Sequence, residues 1–218
     1  MSNTASWNTT QKIIFRVVFI YFLLQAWPLD WKFYQTLFSS DLLHLRYEAI
    51  FNLANYTTRF GSGPATFIDW GILLVIAVIG AVVWNTLAEK KGDIDYDKAF
   101  YWLRTILGYR LALALLAYGF LKFFVLQSPY PSLSSLNTPY GSFNRWKLFS
   151  LSLGIVPSYE LFLGLVELIL AGLLLYRKTA SIAAFIFLIF CGNIFVSNIA
   201  YEGGELVYSL LLITYAFV

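Results

Sequence analysis

Five apolar runs of nearly membrane-crossing length limit what this chain can become. They cover residues 12–27, 69–87, 105–126, 158–176 and 179–200. A helix needs roughly 20 mostly apolar residues, rising 1.5 Å each, to cross about 30 Å of hydrocarbon. A sixth run opens at Leu206 and reaches Val218; as a helix it would extend only about 20 Å. The expectation is therefore that the chain continues or that the last helix half-spans. Of the 218 residues, 59% are apolar and 12% charged, against about a quarter charged in a soluble domain. The predicted fold is all-α: a polytopic membrane helix bundle of about six transmembrane helices. Residues 1–103 form an N-terminal two-helix segment and residues 104–218 a four-helix core.

The first run is expected to be a retained anchor. Residues before Pro28 lack a small-x-small cleavage pattern, and Arg16 interrupts the apolar stretch. The Lys and Arg distribution then orients the chain. With the N-terminus cytoplasmic, the inner side carries Lys12, Arg16, Lys90, Lys91, Lys98, Arg104, Arg177 and Lys178. The outer side carries Lys32, Arg46, Arg59, Arg145 and Lys147. The bias favours a cytoplasmic N-terminus.

Two outer segments are long enough to do something. In residues 28–67, Leu43, Tyr47, Ile50 and Ala54 share one helical face, with His44, Glu48, Asn52 and Asn55 largely opposite. That pattern suits a helix resting in the membrane interface. In residues 127–157 a Pro-rich turn precedes "SFNRWKLFSLSLG", where Ser142 is a candidate N-cap and Trp146, Phe149 and Leu153 fall on one side. Either segment reads as surface padding or as a lid over a cavity between helices.

The intramembrane charge is concentrated in two consecutive runs. The third holds Arg110 and Lys122, and the fourth holds Glu160 and Glu167. The two must be antiparallel. Counting inward from their shared loop sets Lys122 level with Glu160, and Glu167 about 7 or 8 Å from Arg110. Glu160, Gly164, Glu167 and Ala171 follow one stripe; Arg110, Ala114 and Ala117 make a matching one beside Tyr118. A lone charge at the bilayer centre costs at least about 2.5–3.5 kcal/mol, so Glu167 is expected to pair with Arg110. The pair either locks helix register or marks a site. Asn193, Ser197 and Asn198 in the fifth run serve interhelical hydrogen bonding or join Arg110 and Glu167 in lining a polar cavity.

The inventory removes several chemistries. Cys191 is the single cysteine, so no dithiol cycle exists within the chain. His44 is the single histidine, and no His/Cys/carboxylate cluster has metal-site spacing. No phosphate-binding loop or serine-nucleophile motif occurs, and a net charge of +3 spread over several loops gives nucleic acid no footprint. The run "EKKGDIDYDKAF" reads as a solvated loop. No metal or resident cofactor is expected; redox work would use a diffusible quinone or a partner's cofactor.

The order "LGYR…YGFLKFF…YELFLGLVELILAGLLLYRKTA…NIFVSN" resembles the DoxX-like family of small bacterial membrane proteins. Arg110, Gly119, Lys122, Glu167, Gly172 and Arg177 occupy the matching positions, and the likeness covers about residues 104–218. It implies a four-helix core in a bacterial inner membrane, preceded here by two extra helices. It also implies a role either in a membrane oxidoreductase complex or in assembly of other membrane proteins. The leading expectation is an auxiliary, non-catalytic subunit with a pocket for a quinone headgroup or lipid. The candidate pocket residues are Arg110, Glu167, Tyr118, Lys122, Glu160 and Asn193. Membrane lipid and protein partners or further copies of the chain are the expected company. A scaffold protein is the alternative, and a solute transporter is disfavoured because the halves show no inverted repeat.

Overall fold

The computed structural model describes residues 7–39, 47–61, 63–91 and 95–218. Among them every regular element is helical: α1 (Thr9–Ala26), α2 (Trp31–Ser39), α3 (Tyr47–Ala54), α4 (Phe67–Lys91), α5 (Tyr96–Phe123), α6 (Leu133–Leu136), a 3-10 turn (Tyr140–Ser142), α7 (Arg145–Gly154), α8 (Pro157–Leu175), α9 (Ala180–Ala200) and α10 (Leu206–Phe217). Five helices, α1, α4, α5, α8 and α9, are long and apolar enough to cross a membrane. α10, with 12 residues, extends about 18 Å and is too short to do so. This is the architecture of a multi-pass helical membrane protein.

The chain divides into two compact units: Met1–Leu42 with Tyr56–Leu107, and Leu43–Asn55 with Gly108–Val218. α5 gives its N-terminal part to the first and its C-terminal part to the second. Residues 47–55 group with the second unit.

In the first unit α1 packs along α4. Leu73, Ala77 and Ala81 recur every fourth residue and are buried, whereas Ile68, Val75 and Val82 on other faces are well exposed. So much exposed aliphatic surface suits lipid as its solvent. Gly80 lets α1 approach: a Cβ there would stand 3.1 Å from Ile20 Cδ1. Arg16 is buried. Its guanidinium donates to the Tyr96 hydroxyl and to Asn85 Oδ1. Phe15 packs on Tyr96 and Phe100. These contacts order residues 96–104 as helix, so α5 begins well before the predicted residue 105, inside the segment read as a loop. Residues 92–94 of that run lie outside the described residues. α4 starts with Asp69 Oδ2 accepting from Thr66 N at 2.7 Å, while Oδ1 accepts from Phe60 N at 2.9 Å.

In the second unit α8, α9 and α10 form successive packed pairs. α8 also crosses α5 closely. A Cβ on Gly164 would lie 2.4 Å from Phe123 N and 2.7 Å from Gly119 O, and one on Gly119 would lie 3.2 Å from Glu167 Cβ. Small residues at such a crossing let backbones touch, which is how helices associate without a hydrophobic drive between them. α3 packs against α5. Tyr47 donates to Ala117 O, Phe51 packs on Tyr118, and Ala54 is fully buried. The carbonyl of Ala54 accepts from Arg110 Nη1 and from the Tyr208 hydroxyl, each at 2.7 Å. Leu43 and His44 lie outside the described residues, as do the side chains of Glu48 and Ile50.

Gly164→Ala should cost about 1–3 kcal/mol by overpacking and visibly lower the melting temperature in detergent. Gly172→Ala, with nothing within 4 Å of the added Cβ, should leave it unchanged or slightly raised. Equal melting temperatures for the two variants would exclude a tight α5–α8 crossing.

Candidate functional site

The α5–α8 crossing sets which charges meet. Gly119 stands opposite Leu168 and Gly164 opposite Phe123. Extending that antiparallel register sets Arg110 level with the end of α8, about 14 Å along the axis from Glu167. An arginine side chain cannot cover that distance. The expected Arg110–Glu167 pair is therefore not formed; Lys122 Nζ pairs with Glu167 Oε1. The backbone contact shifts the register by about one helical turn relative to a count from the loop.

Glu160 was expected level with Lys122 and is displaced by the same shift. Its Oε1 accepts from the backbone N–H groups of Gln127 and Ser128, at 3.1 and 3.0 Å. Those donors are aimed by the way α5 ends. Val125 adopts φ 54°, and Leu126 N donates to Leu121 O at 2.8 Å, the six-to-one bond of a Schellman cap. A β-branched residue is rarely left-handed. α9 ends alike, with Glu202 at φ 57° and Gly203 N donating to Asn198 O at 2.8 Å. Gly203 has to be glycine for space: a Cβ would stand 2.3 Å from Asn198 Oδ1 and 2.6 Å from the Trp146 ring.

Between these elements lies a cavity of about 190 Å³. Its polar wall holds Tyr118, Lys122, Glu160, Glu167, Asn193 and Glu205. Trp146, Phe149 and Leu153 of α7 line it from one side, as their spacing predicted, and Tyr159, Phe187 and Phe190 add aromatic surface. α7 is capped by Asn144, whose side chain accepts from Lys147 N at 2.8 Å. Ser142 does not cap it, because it closes the preceding 3-10 turn. Lys122 Nζ lies 6.0 Å from the Tyr118 ring centroid and 5.9 Å from that of Phe190, within range of cation–π attraction. A second hollow of about 320 Å³ shares Tyr118, Gln127, Ser128 and Glu205 with the first and adds Phe51 of α3.

Five of the six sequence candidates thus line one cavity. Arg110 does not; it is bound to the Ala54 carbonyl. Sequence reasoning missed Glu205, a carboxylate just before the last apolar run whose "GGE" context reads as an ordinary turn. It also missed the acceptor role of Glu160, because backbone donors leave no residue-type signal. Burial pushes the Glu205 carboxyl above its ordinary value, with the nearby Tyr118 hydroxyl offsetting part of the rise. Among the described residues no group of three or more His, Cys, Asp or Glu could hold a metal ion. No protein-family model, curated protein or solved structure matches the chain.

Two measurements check this geometry. A double-mutant cycle of Lys122→Met with Glu167→Gln should show strong coupling, since removing one partner of a buried pair costs about 3–5 kcal/mol. The same cycle with Arg110→Met should show little; the reverse pattern would restore the register counted from the loop. Glu205 gives a pH signature. A raised folded-state value means that its contribution to stability is complete below the ordinary glutamate value of 4.5. It is lost as pH rises through the raised value. Melting temperature should therefore fall less between about pH 4.5 and about pH 8 in Glu205→Gln than in the parent chain. Identical slopes would rule Glu205 out as the cause.

Proposed function

We propose that this chain is an auxiliary subunit of a membrane oxidoreductase complex, DoxX-like in residues 104–218, that holds the headgroup of a quinone or a lipid. The observation that carries the reading is the Lys122–Glu167 ion pair set in an aromatic-walled cavity among membrane-length helices. Ionisable groups inside the membrane are costly and mark sites by default. The Lys122 ammonium donates to a carbonyl or phosphate oxygen, and Glu167 orients it or exchanges a proton. Tyr118 and Asn193 supply secondary contacts. At about 190 Å³ the cavity is smaller than the roughly 300–1,000 Å³ of drug-sized sites, so it suits a headgroup whose tail lies elsewhere. The reading places the chain in a bacterial inner membrane with a cytoplasmic N-terminus and with protein partners or further copies of itself.

A second reading has its own observation. Lys122 and Glu167 flank the Gly119–Gly164 crossing, where an ion pair would lock helix register in a scaffold that binds nothing.

Native mass spectrometry of the protein in mild detergent separates the two. The pocket reading expects one quinone or lipid per chain, with retention falling at least about tenfold in Glu167→Gln, a loss of about 1.4 kcal/mol, at unchanged folded yield. A ligand-free parent chain whose Glu167→Gln variant loses only folded yield would replace the pocket with the scaffold.

A further inference from the structure

The cavity's charges do not balance. Among the described residues, three carboxyl groups, those of Glu160, Glu167 and Glu205, line it with one cation, Lys122. Glu160 is 1% exposed and Glu167 is 2% exposed, so water does little to offset their charge. Each also has an unused oxygen. Glu160 Oε1 takes two backbone donors and Glu167 Oε1 takes the lysine, while Oε2 of both is buried with no hydrogen-bond partner. Buried acceptors without partners cost about 1–3 kcal/mol each, more when charged. Among the described residues the wall is thus short of positive charge beside these two oxygens.

A quinone carbonyl would bring one more acceptor and no charge to these two oxygens. An ammonium group adds what is missing: N–H donors and one positive charge. The aromatic wall of Trp146, Phe149 and Tyr159 suits the same group, because ring faces attract organic cations. A metal ion fits less well, as the acidic side chains do not gather into a metal-binding set.

We propose that this cavity binds an organic primary ammonium group, set between Glu160 and Glu167 against the α7 aromatics. The inference rests on the reading of the cavity as a ligand site and selects the ligand's class. Two sources carry this chemistry: the headgroup of an aminophospholipid and a free amine.

The test is native mass spectrometry of the full chain, delipidated and reloaded with one probe at a time. The probes are phosphatidylethanolamine, N-acetylated phosphatidylethanolamine, phosphatidylglycerol, a ubiquinone and free ethanolamine. The expected result is one phosphatidylethanolamine per chain, retained at least about tenfold better than its N-acetylated form or phosphatidylglycerol, or about 1.4 kcal/mol. Glu160→Gln and Glu167→Gln should each remove most of that preference. The acetylation comparison uses the parent chain, so a variant that fails to fold does not blunt the test. Binding of ethanolamine without lipid retention would keep the ammonium class and assign the source to a soluble amine. Equal retention of the acetylated and free lipids, or retention of ubiquinone alone, would overturn the ammonium inference and leave the pocket standing. Retention of no probe would overturn both.

Discussion

The place where α5 and α8 touch backbone to backbone governs the second unit. Gly119 and Gly164 leave no room for a Cβ between Phe123 N, Gly119 O and the facing helix. Side chains that stand on two helices in contact can meet only if their axial positions match. The crossing therefore selects the ion pair: Lys122 comes within reach of Glu167, and Arg110 is carried about 14 Å away. Arg110 turns to the Ala54 carbonyl, which it shares with Tyr208, and so ties α3, α5 and α10 together.

The two helix ends beside the cavity show how backbone shape can do the work of side chains. Val125 and Glu202 take left-handed conformations that cost non-glycine residues roughly 1–2 kcal/mol each. The first lets Gln127 and Ser128 present two N–H groups to Glu160; the second brings Gly203 against Trp146. Strain of this kind persists where surrounding contacts over-determine it. Here those contacts are the walls of one cavity.

Among the described residues, carboxyl groups outnumber cations along that cavity, and the helices around it turn apolar surface outward. On α9, Ile182, Phe185, Ile189 and Val196 are exposed while Ala183, Phe187 and Cys191 are buried. Cys191, the single cysteine, is packed, with its Sγ 3.6 Å from Ser209 O.

Much of this was legible in the sequence, for local reasons. Five membrane-length helices follow from apolar run length, because in hydrocarbon the backbone must satisfy its own hydrogen bonds. The α7 face of Trp146, Phe149 and Leu153 follows from helical spacing. That Tyr118, Lys122, Glu160, Glu167 and Asn193 belong together follows from the cost of charge in a membrane. What the sequence left open was everything that depends on the offset between helices. It named Arg110 as the partner of Glu167, took "EKKGDIDYDKAF", which ends inside α5, for loop, and gave Glu205 no role. Loop length and composition do not set axial register to within a turn, whereas a pair of glycines in contact does. Only the tertiary structure decided which cation meets which carboxylate, and so what the cavity still lacks.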